Sequence, residues 1–176
     1  MALEIRKYPD PILRRKAREI EKIDSATREL AHQMVETLIA KRGYGLAAPQ
    51  VGVLKRLIIV DVDSESSHDF HILINPRILE VSEERVLGVE GCLSIPGVEA
   101  EVERALSVKV SAINIDSEPV ELEKSELVAR VLQHEIDHLD GVLFIDYLSD
   151  AKRLMLLKEY ERKKREKRKE KAKVAL

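Results

Sequence analysis

One segment of the chain, residues 125–139, limits the possible folds more than any other, because it is apolar yet carries two histidines four residues apart. Residues four apart lie on one face of a helix, so His134 and His138 can reach the same metal ion. Buried imidazoles without partners are costly, whereas a metal satisfies them. We therefore expect a fold built around a buried, metal-binding helix. Its apolar residues, at helical spacing, are Leu127, Val128, Val131, Leu132, Ile136 and Leu139.

Glu135 follows the first histidine and completes an H-E-x-x-H pattern. A carboxylate at this place can lean towards a water molecule on the metal and accept its proton, which is typical of metal-assisted hydrolysis. The alternative is a charged, solvated helix in which the histidines occur by chance. Because the helix is predicted to be buried, we favour the catalytic interpretation.

A third protein ligand is needed for a catalytic metal site of this kind, together with an open fourth position. Downstream of His138, no residue occupies the further ligand position used by peptidases with this motif. Upstream, the sequence EGCLS contains the single cysteine, Cys92, whose thiolate is a strong ligand for soft or borderline cations. The preceding Gly91 permits close backbone approach. A lone cysteine is ordinarily a buried structural thiol, but the two histidines favour metal binding.

A third segment, residues 43–50, contains two glycines and two alanines that permit a ligand backbone to lie alongside it. It lacks the Lys-Ser/Thr pair of a phosphate-binding loop. Gln50 at its end offers an amide group that can donate a hydrogen bond to a developing oxyanion. A tight helix-to-strand turn without a catalytic role explains the segment equally well.

Irregular structure is expected at residues 1–20, because Pro9 and Pro11 prevent a regular helix. A helix is expected from Asp24 or Ser25 to about residue 41. Gly43 and Gly45 are expected to end it. The histidine-bearing helix follows at 125–139, and a last helix begins at a Ser149 cap and continues into a charged tail.

Strands are expected between these helices wherever aliphatic runs or alternating patterns occur. A polar turn at 64–69 separates the first two strands, and the sequence DSEP joins the last two in a hairpin. The fold class is α+β, with short, mostly antiparallel strands packed around a central metal-binding helix, plus a C-terminal helix. The expected strands are 56–62, 70–76, 78–81, 98–104, 107–116 and 119–125.

The charge distribution sets the C-terminal tail apart from the rest of the chain. Residues 158–173 contain ten Lys or Arg and four Glu, a balance of +6; since the whole chain carries −2, the remainder carries −8. We therefore divide the chain into a catalytic domain, 1–150, and a charged helical extension, 151–176. The extension is either a solvated, partly frayed helix or a segment that binds phosphate groups of a partner.

The sequence also indicates in which compartment of the cell the protein works. The N-terminal residues carry scattered charges and no apolar region, which excludes a secretory signal. The longest aliphatic run, 57–60, is too short to span a bilayer, and one cysteine cannot form an internal disulfide. We expect a cytoplasmic protein without membrane or DNA partners.

Taken together, the three motifs resemble those of the peptide deformylases. G-x-G-L-A-A-x-Q matches residues 43–50, E-G-C-L-S matches 90–94, and Q-H-E-x-D-H-x-x-G matches 133–141. The resemblance extends over roughly residues 2–150 and is greatest to the bacterial type, which has a helical C-terminal extension. It implies hydrolytic removal of the N-formyl group from the starting methionine of newly synthesised polypeptides, with release of formate. Because the ribosome is the source of such substrates, we expect that the partner of the basic extension, if it binds one, is ribosomal RNA.

The resemblance also implies a role for each matching residue. Cys92, His134 and His138 bind the metal, and Glu135 is the general base and acid. Gln50 and the backbone N–H of Leu93 hold the formyl oxygen as it becomes negative. The residues implied to bind substrate, through their backbone or by lining the methionine pocket, are Gly43, Tyr44, Gly45, Gly91, Leu127 and Val131.

Three further positions carry information about the loop and the substrate. Glu90 and Arg104 match a pair that steadies the loop bearing the cysteine. At Glu99, many bacterial members have an arginine near the outer end of the substrate, so an acid there departs from the pattern.

The nature of the metal is open to two interpretations. Ligand softness and the usual affinity order favour zinc over ferrous iron. The resemblance implies Fe²⁺ as the native ion, with Zn²⁺, Ni²⁺ or Co²⁺ as substitutes. The remaining alternatives are a metallopeptidase, which would cleave internal peptide bonds, and a non-catalytic ribosome-associated or metal-sensing protein, which would bind metal without turnover.

Overall fold

The computed structural model describes residues 2–62 and 69–174, which form three α-helices, seven strands and three short 3₁₀ turns. The helices are α1 (Ser25–Lys41), α2 (Glu126–Leu139) and α3 (Asp150–Val174). The strands are β1 (Gly45–Ala47), β2 (Leu57–Asp61), β3 (Phe70–Val81), β4 (Arg85–Cys92), β5 (Ile95–Ala105), β6 (Ser107–Ile113) and β7 (Pro119–Ser125). The 3₁₀ turns are Pro11–Arg14, Ala48–Val51 and Phe144–Tyr147.

The strands form two antiparallel sheets. A five-stranded sheet has the order β1-β2-β3-β6-β7, and β4 and β5 pair separately as a long hairpin. The predicted α+β class and the C-terminal helix are confirmed. β1 lies at one edge of the larger sheet, next to the turn that carries Gln50.

Strand β2 contributes side chains to the core on both of its faces. Ile58 and Val60 pack in a cluster with Leu132 of α2, whereas Leu57 and Ile59 pack in a cluster with residues of α1. Alternate side chains of a strand point to opposite faces, so the sheet is covered by α2 on one face and by α1 on the other. This double burial explains the unbroken aliphatic run in β2 and makes α2 the central helix.

Helix α1 has the predicted bounds, but the residue that follows its end is not the glycine expected there. The Asp24 side chain accepts a hydrogen bond from the Thr27 N–H at 2.8 Å, which caps the helix. The C-terminal residue in the left-handed conformation is Arg42, with φ of 52°, rather than Gly43 or Gly45. Gly45 is instead the first residue of strand β1.

Strand β3 is longer than predicted, because the expected strands at 70–76 and 78–81 are one element. A shift in register between Ile74 and Arg77 accommodates Asn75, whose φ is 51°, and Pro76, which has no N–H to donate. The Asn75 side chain bonds both the N–H and the carbonyl of Ile20, at 2.9 Å each.

Other differences concern the middle and the end of the chain. Strand β4 was not predicted, and β5 begins at Ile95, earlier than the expected 98. Apart from Asp69, the predicted polar turn at 64–69 lies outside the described residues. Among the residues that the structure describes, no helix combines the length and the apolar character needed to cross a membrane.

Candidate metal centre and active site

Two elements bring three ligand atoms together beside the core. Cys92 ends β4, and His134 and His138 lie one turn apart on α2. The potential ligand atoms of these three residues lie within 4.8 Å of one another, and Cys92 Sγ is 3.2 Å from His138 Nε2. Both histidines are buried. The spacing of the histidines along one helix turn thus produces a compact Cys/His/His cluster.

The electrostatics of the cluster suit a divalent cation. Burial opposes ionisation of the Cys92 thiol, but the imidazoles of His138 and His134 hold its pKa well below the usual range. Burial alone would lower the pKa of His134, yet its hydrogen bonds to Cys92 and Glu90 raise it well above the usual value. A thiolate with two imidazoles is a donor set for zinc or iron, and a metal displaces the imidazole proton on binding. Within the described part of the chain, the buried His138 Nδ1 has no hydrogen-bond partner.

Glu90 orients the ring of His134. Its Oε2 lies 2.9 Å from His134 Nδ1, and both of its oxygens accept hydrogen bonds from Arg104, at 2.8 and 3.0 Å. Burial raises the carboxyl pKa, but the bonds from His134 and Arg104 outweigh it and lower the pKa of Glu90 to about 2. Because Nδ1 donates to a carboxylate, His134 Nε2 is left to face the cluster.

Glu135 lies beside the cluster in an apolar setting. Its side chain is buried, and among the described residues its Oε2 has no hydrogen-bond partner. Burial raises the pKa of Glu135 to about 7, although the neighbouring histidines lower it in part. Such a pKa suits a group that takes up and returns a proton near neutral pH.

Gln50 is held in one orientation by the turn that contains it. Its Oε1 accepts a hydrogen bond from the Ala47 N–H at 2.8 Å, so Nε2 points towards Cys92 Sγ at 3.4 Å and Ser94 Oγ at 3.3 Å. Segment 43–50 contains strand β1 and most of the 3₁₀ turn that follows it, so it is more than the tight helix-to-strand turn considered as an alternative, and it brings an amide donor to the cluster. Leu93 follows Cys92 and lines the same space.

A cavity of about 450 Å³ opens next to the cluster. Val131 lies deep in it, whereas Tyr44 and Leu127 lie at its mouth and are about half exposed. Glu99 also lines the cavity and packs across the strand pair against Gly91. Of the residues predicted to act at the site, those that line it are Gly43, Tyr44, Gly45, Gln50, Glu90, Gly91, Cys92, Leu93, Leu127, Val131, His134 and Glu135. Arg104 and His138 do not line it but contact Glu90 and Cys92, respectively.

Sequence reasoning missed several supporting residues. Asp137 accepts hydrogen bonds from Arg104 at 2.6 Å and from the Tyr147 hydroxyl at 2.8 Å. Gln133 bonds the Ala105 N–H and carbonyl and so fastens α2 to the end of β5. Asp137 and Gln133 belong to the motif that contains the histidines, so their place in it was the available signal. Arg130 was also missed, and nothing in its local sequence marks it.

The fold and the site together are those expected of a metal-dependent hydrolase in which a central helix supplies two histidines and a carboxylate. Comparison with known proteins narrows this class. The model of the polypeptide deformylase family matches residues 2–154. The peptide deformylase of Thermodesulfovibrio yellowstonii is 47% identical over 163 residues, which cover 92% of this chain and 98% of that protein. Peptide deformylase 1 of Clostridium acetobutylicum is 50% identical over 147 residues, covering 84% and 95%.

Solved structures agree with these sequence matches. The crystal structure of a peptide deformylase from Legionella pneumophila has a TM-score of 0.90 and 37% identity, and covers 95% of this chain and 98% of that one. The enzyme from Ehrlichia chaffeensis in complex with actinonin has a TM-score of 0.88 and 37% identity, covering 93% and 98%. The chain belongs to the polypeptide deformylase family. It is a hydrolase that removes the N-formyl group from newly synthesised polypeptides, as the three motifs predicted.

Proposed function

We propose that Cys92, His134 and His138 bind the catalytic metal ion and that Glu135 transfers the protons of the reaction. The observation that carries this proposal is the placement of three ligand atoms within 4.8 Å of one another, beside a buried carboxylate oxygen without a partner among the described residues. A divalent cation at such a site acts as a Lewis acid that lowers the pKa of a water molecule, to about 7 in the best zinc sites, and polarises a carbonyl group.

Glu135 accepts a proton from the attacking water at its free Oε2. Water adds to the formyl carbon, the bond between this carbon and the methionine nitrogen breaks, and Glu135 returns the proton to the leaving amine. Formate and a polypeptide with a free N-terminal amine are the products. The pKa of about 7 supports this role, since the carboxyl can be charged before attack and protonated after it.

Gln50 and Leu93 stabilise the negative charge that develops on the formyl oxygen. The Gln50 Nε2 and the Leu93 N–H donate hydrogen bonds to it. The bond from Ala47 to Gln50 Oε1 supports this role, because it fixes the amide before substrate arrives. Removal of one such donor typically lowers the rate by about 10²–10³-fold.

The substrate peptide lies along the edge strand β1 and places its methionine side chain in the cavity. The open edge of β1 supports pairing with the backbone of Gly45. Gly43 and Gly91 line the cavity without side chains and so leave room for the substrate peptide. Tyr44, Leu127 and Val131 supply apolar surface for an unbranched thioether side chain.

The native ion in this proposal is Fe²⁺, and Zn²⁺, Ni²⁺ or Co²⁺ can substitute. The test is release of formate from formyl-Met-Ala-Ser under anaerobic conditions by protein loaded with iron or with zinc. We expect both forms to release formate and the iron form to be faster. A faster zinc form would contradict the assignment of iron. Cleavage of internal peptide bonds without formate release would instead indicate a metallopeptidase.

We further propose that the enzyme works in the cytoplasm on nascent chains and that the extension, 151–176, contacts ribosomal RNA. The positive balance of residues 158–173 supports this contact. Lys7, Lys163, Lys164 and Lys167 line one groove beside α3. Such contacts weaken steeply as salt rises.

A chain ending after Tyr160 tests the ribosome contact. We expect it to lose binding to ribosomes at low salt while it still deformylates a free tripeptide. Unchanged ribosome binding at low salt would contradict the contact without affecting the catalytic proposal.

A further inference from the structure

The metal ligands depend on how the β4–β5 hairpin is fixed to α2. Cys92 belongs to the hairpin, whereas His134 and His138 belong to the helix. The hairpin pairs as a sheet of its own, separate in the described strands from the five-stranded sheet. At the end of the hairpin the Glu126 N–H donates to the Leu106 carbonyl at 2.8 Å. The rest of the hairpin shares no strand ladder with the larger sheet, so side-chain contacts hold it against the helix.

Arg130 of α2 makes four such contacts with one guanidinium group. Its Nη2 donates to the carbonyl of Val86 at 2.7 Å. Its Nη1 donates to the carbonyls of Val102 at 2.7 Å and Gly88 at 3.3 Å, and to Glu90 Oε1 at 2.9 Å. The side chain is 12% exposed. One largely covered cation thus joins both strands of the hairpin to the helix that carries the histidines.

The fit around this guanidinium is close. A Cβ atom on Gly88 would lie 2.8 Å from Cζ of Arg130, nearer than real contacts allow. Glycine inside a strand weakens it, and it often marks a close approach of another group. The close approach of Arg130 explains why glycine occupies position 88.

Arg130 also acts on His134 through a shared carboxylate. The two residues lie four apart on α2, and both contact Glu90: Arg130 at Oε1 and His134 at Oε2. We propose that Arg130 is a positioning residue that fixes the hairpin, and through Glu90 the His134 ring, in the arrangement that binds the metal. This inference rests on the proposed function, because it takes Cys92, His134 and His138 as the ligands.

Replacement of Arg130 by lysine separates charge from geometry. A guanidinium presents five donors in a rigid fork, whereas an ammonium is a compact charge on a flexible stem. The variant Arg130→Lys keeps the charge beside Glu90, but its ammonium group cannot reach all four acceptors at once. The effect of this variant should therefore lie between those of the wild type and Arg130→Met.

The test is the absorption spectrum and the metal affinity of the cobalt-loaded protein, compared between wild type and Arg130→Met. We expect the ligand-field and thiolate-to-cobalt bands to shift and the affinity for Co²⁺ to fall by about 10–100-fold, the usual effect of losing a partner of a metal ligand. An unchanged spectrum and affinity in the folded variant would overturn the proposal. If Arg130→Met does not fold, the same readouts on Arg130→Lys decide.

Arg56→Met is a matched control. Arg56 is similarly buried, with its side chain 10% exposed, and it bonds the Asp140 carboxylate at 2.8 Å and the Pro76 carbonyl at 3.3 Å. These partners lie outside the hairpin, so we expect a wild-type cobalt spectrum. An equal shift in this control would mean that Arg130→Met acts through general destabilisation, and the proposal would fail.

Gly88→Ala tests the same link without removing the arginine. The added methyl group collides with the guanidinium, so we expect a spectral shift in the same direction as in Arg130→Met; no shift would count against the proposal.

Cys92→Ser separates this inference from the proposed function. If the wild-type thiolate band survives Cys92→Ser, the proposed ligand set is wrong. If the band is lost in Cys92→Ser but is unchanged in Arg130→Met, only the inference about Arg130 fails.

Discussion

Glu135 is positioned by packing against the backbone of another element. A Cβ atom on Gly45 would lie 2.5 Å from Glu135 Oε1 and 2.6 Å from its Cγ. The carboxylate therefore occupies the space that any side chain at position 45 would need. This contact gives Gly45 a role beside Glu135 as well as its proposed role in pairing with substrate. Both roles depend on the absence of a side chain at the first residue of β1.

Gly45→Ala should reduce turnover without loss of metal. The methyl group must displace the Glu135 carboxylate, and a misplacement of about 1 Å can cost about 10²-fold in rate. We expect kcat for formate release to fall by about that factor while the metal content stays equal to that of the wild type. An unchanged kcat in the metal-loaded Gly45→Ala protein would contradict the contact with Glu135.

Among the elements, helix α2 and the hairpin β6–β7 could be predicted because their patterns are local. The histidines, the apolar stripe and the turn at the helix end all lie within one short stretch of α2. Strand β4 could not be predicted in this way. Val86, Leu87 and Val89 are exposed, and two glycines interrupt the pattern, so the strand shows no buried alternation.

The same distinction between local and long-range patterns applies to the residues of the site. Cys92, His134 and Glu135, which we propose to bind the metal or transfer protons, could be predicted because they stand in recognisable motifs. Arg130 could not be assigned, because most of its partners are backbone carbonyls 28 to 44 positions away in sequence. Such contacts depend on the tertiary fold and leave no short-range pattern.

An ion pair ties the N-terminal 3₁₀ turn to the turn that follows α2. Asp146 accepts hydrogen bonds from Arg14 and, at 2.9 Å, from the Leu143 N–H. Burial raises its carboxyl pKa, but the bonds from Arg14 and Leu143 outweigh it and the pKa is lowered. Because the folded-state pKa lies below the unfolded one, the carboxylate stabilises the fold above the unfolded value, about 3.9. This stabilisation is lost as the pH falls through the folded-state pKa.

Asp146→Asn should therefore destabilise the protein in a pH-dependent way. We expect a lower free energy of unfolding in urea at pH 7, with the difference from wild type shrinking as the pH falls below about 4. Asp150→Asn is the control, since the Asp150 side chain is 97% exposed and, among the described residues, forms an ion pair with Arg153 one helix turn away. A difference for Asp146→Asn that stays constant from pH 7 to pH 3 would contradict the assigned cause.

At the scale of the whole molecule, α3 has two parts. Its first turns pack on the domain, with Leu156 and Tyr160 buried beside Phe144 and Val102 in one cluster. The Tyr160 hydroxyl donates to the Tyr8 carbonyl at 2.9 Å, which joins the two ends of the chain. The part that follows is almost wholly charged. The division of the chain at residue 150 stays a prediction, and this packing shows that α3 also serves the core.

Leu156→Ala measures the contribution of this packing. Leu156 is 8% exposed and its neighbour Met155 is 72% exposed on the same helix. Truncation of a buried leucine typically costs about 2–5 kcal/mol, whereas surface changes lie within about 0.5 kcal/mol. We expect these respective losses in free energy of unfolding for Leu156→Ala and Met155→Ala. Equal, small losses would mean that α3 does not stabilise the domain.

The most direct test of the proposed mechanism is formate release by metal-loaded Glu135→Gln. Glutamine preserves the shape of the side chain but cannot accept the proton, so we expect the rate to fall by about 10²–10⁴-fold with the metal content unchanged. Glu126→Gln is the control, because it removes the same charge from an exposed position on α2; it should deformylate at the wild-type rate. Full deformylation by Glu135→Gln with its metal retained would contradict the assignment of Glu135 as the base.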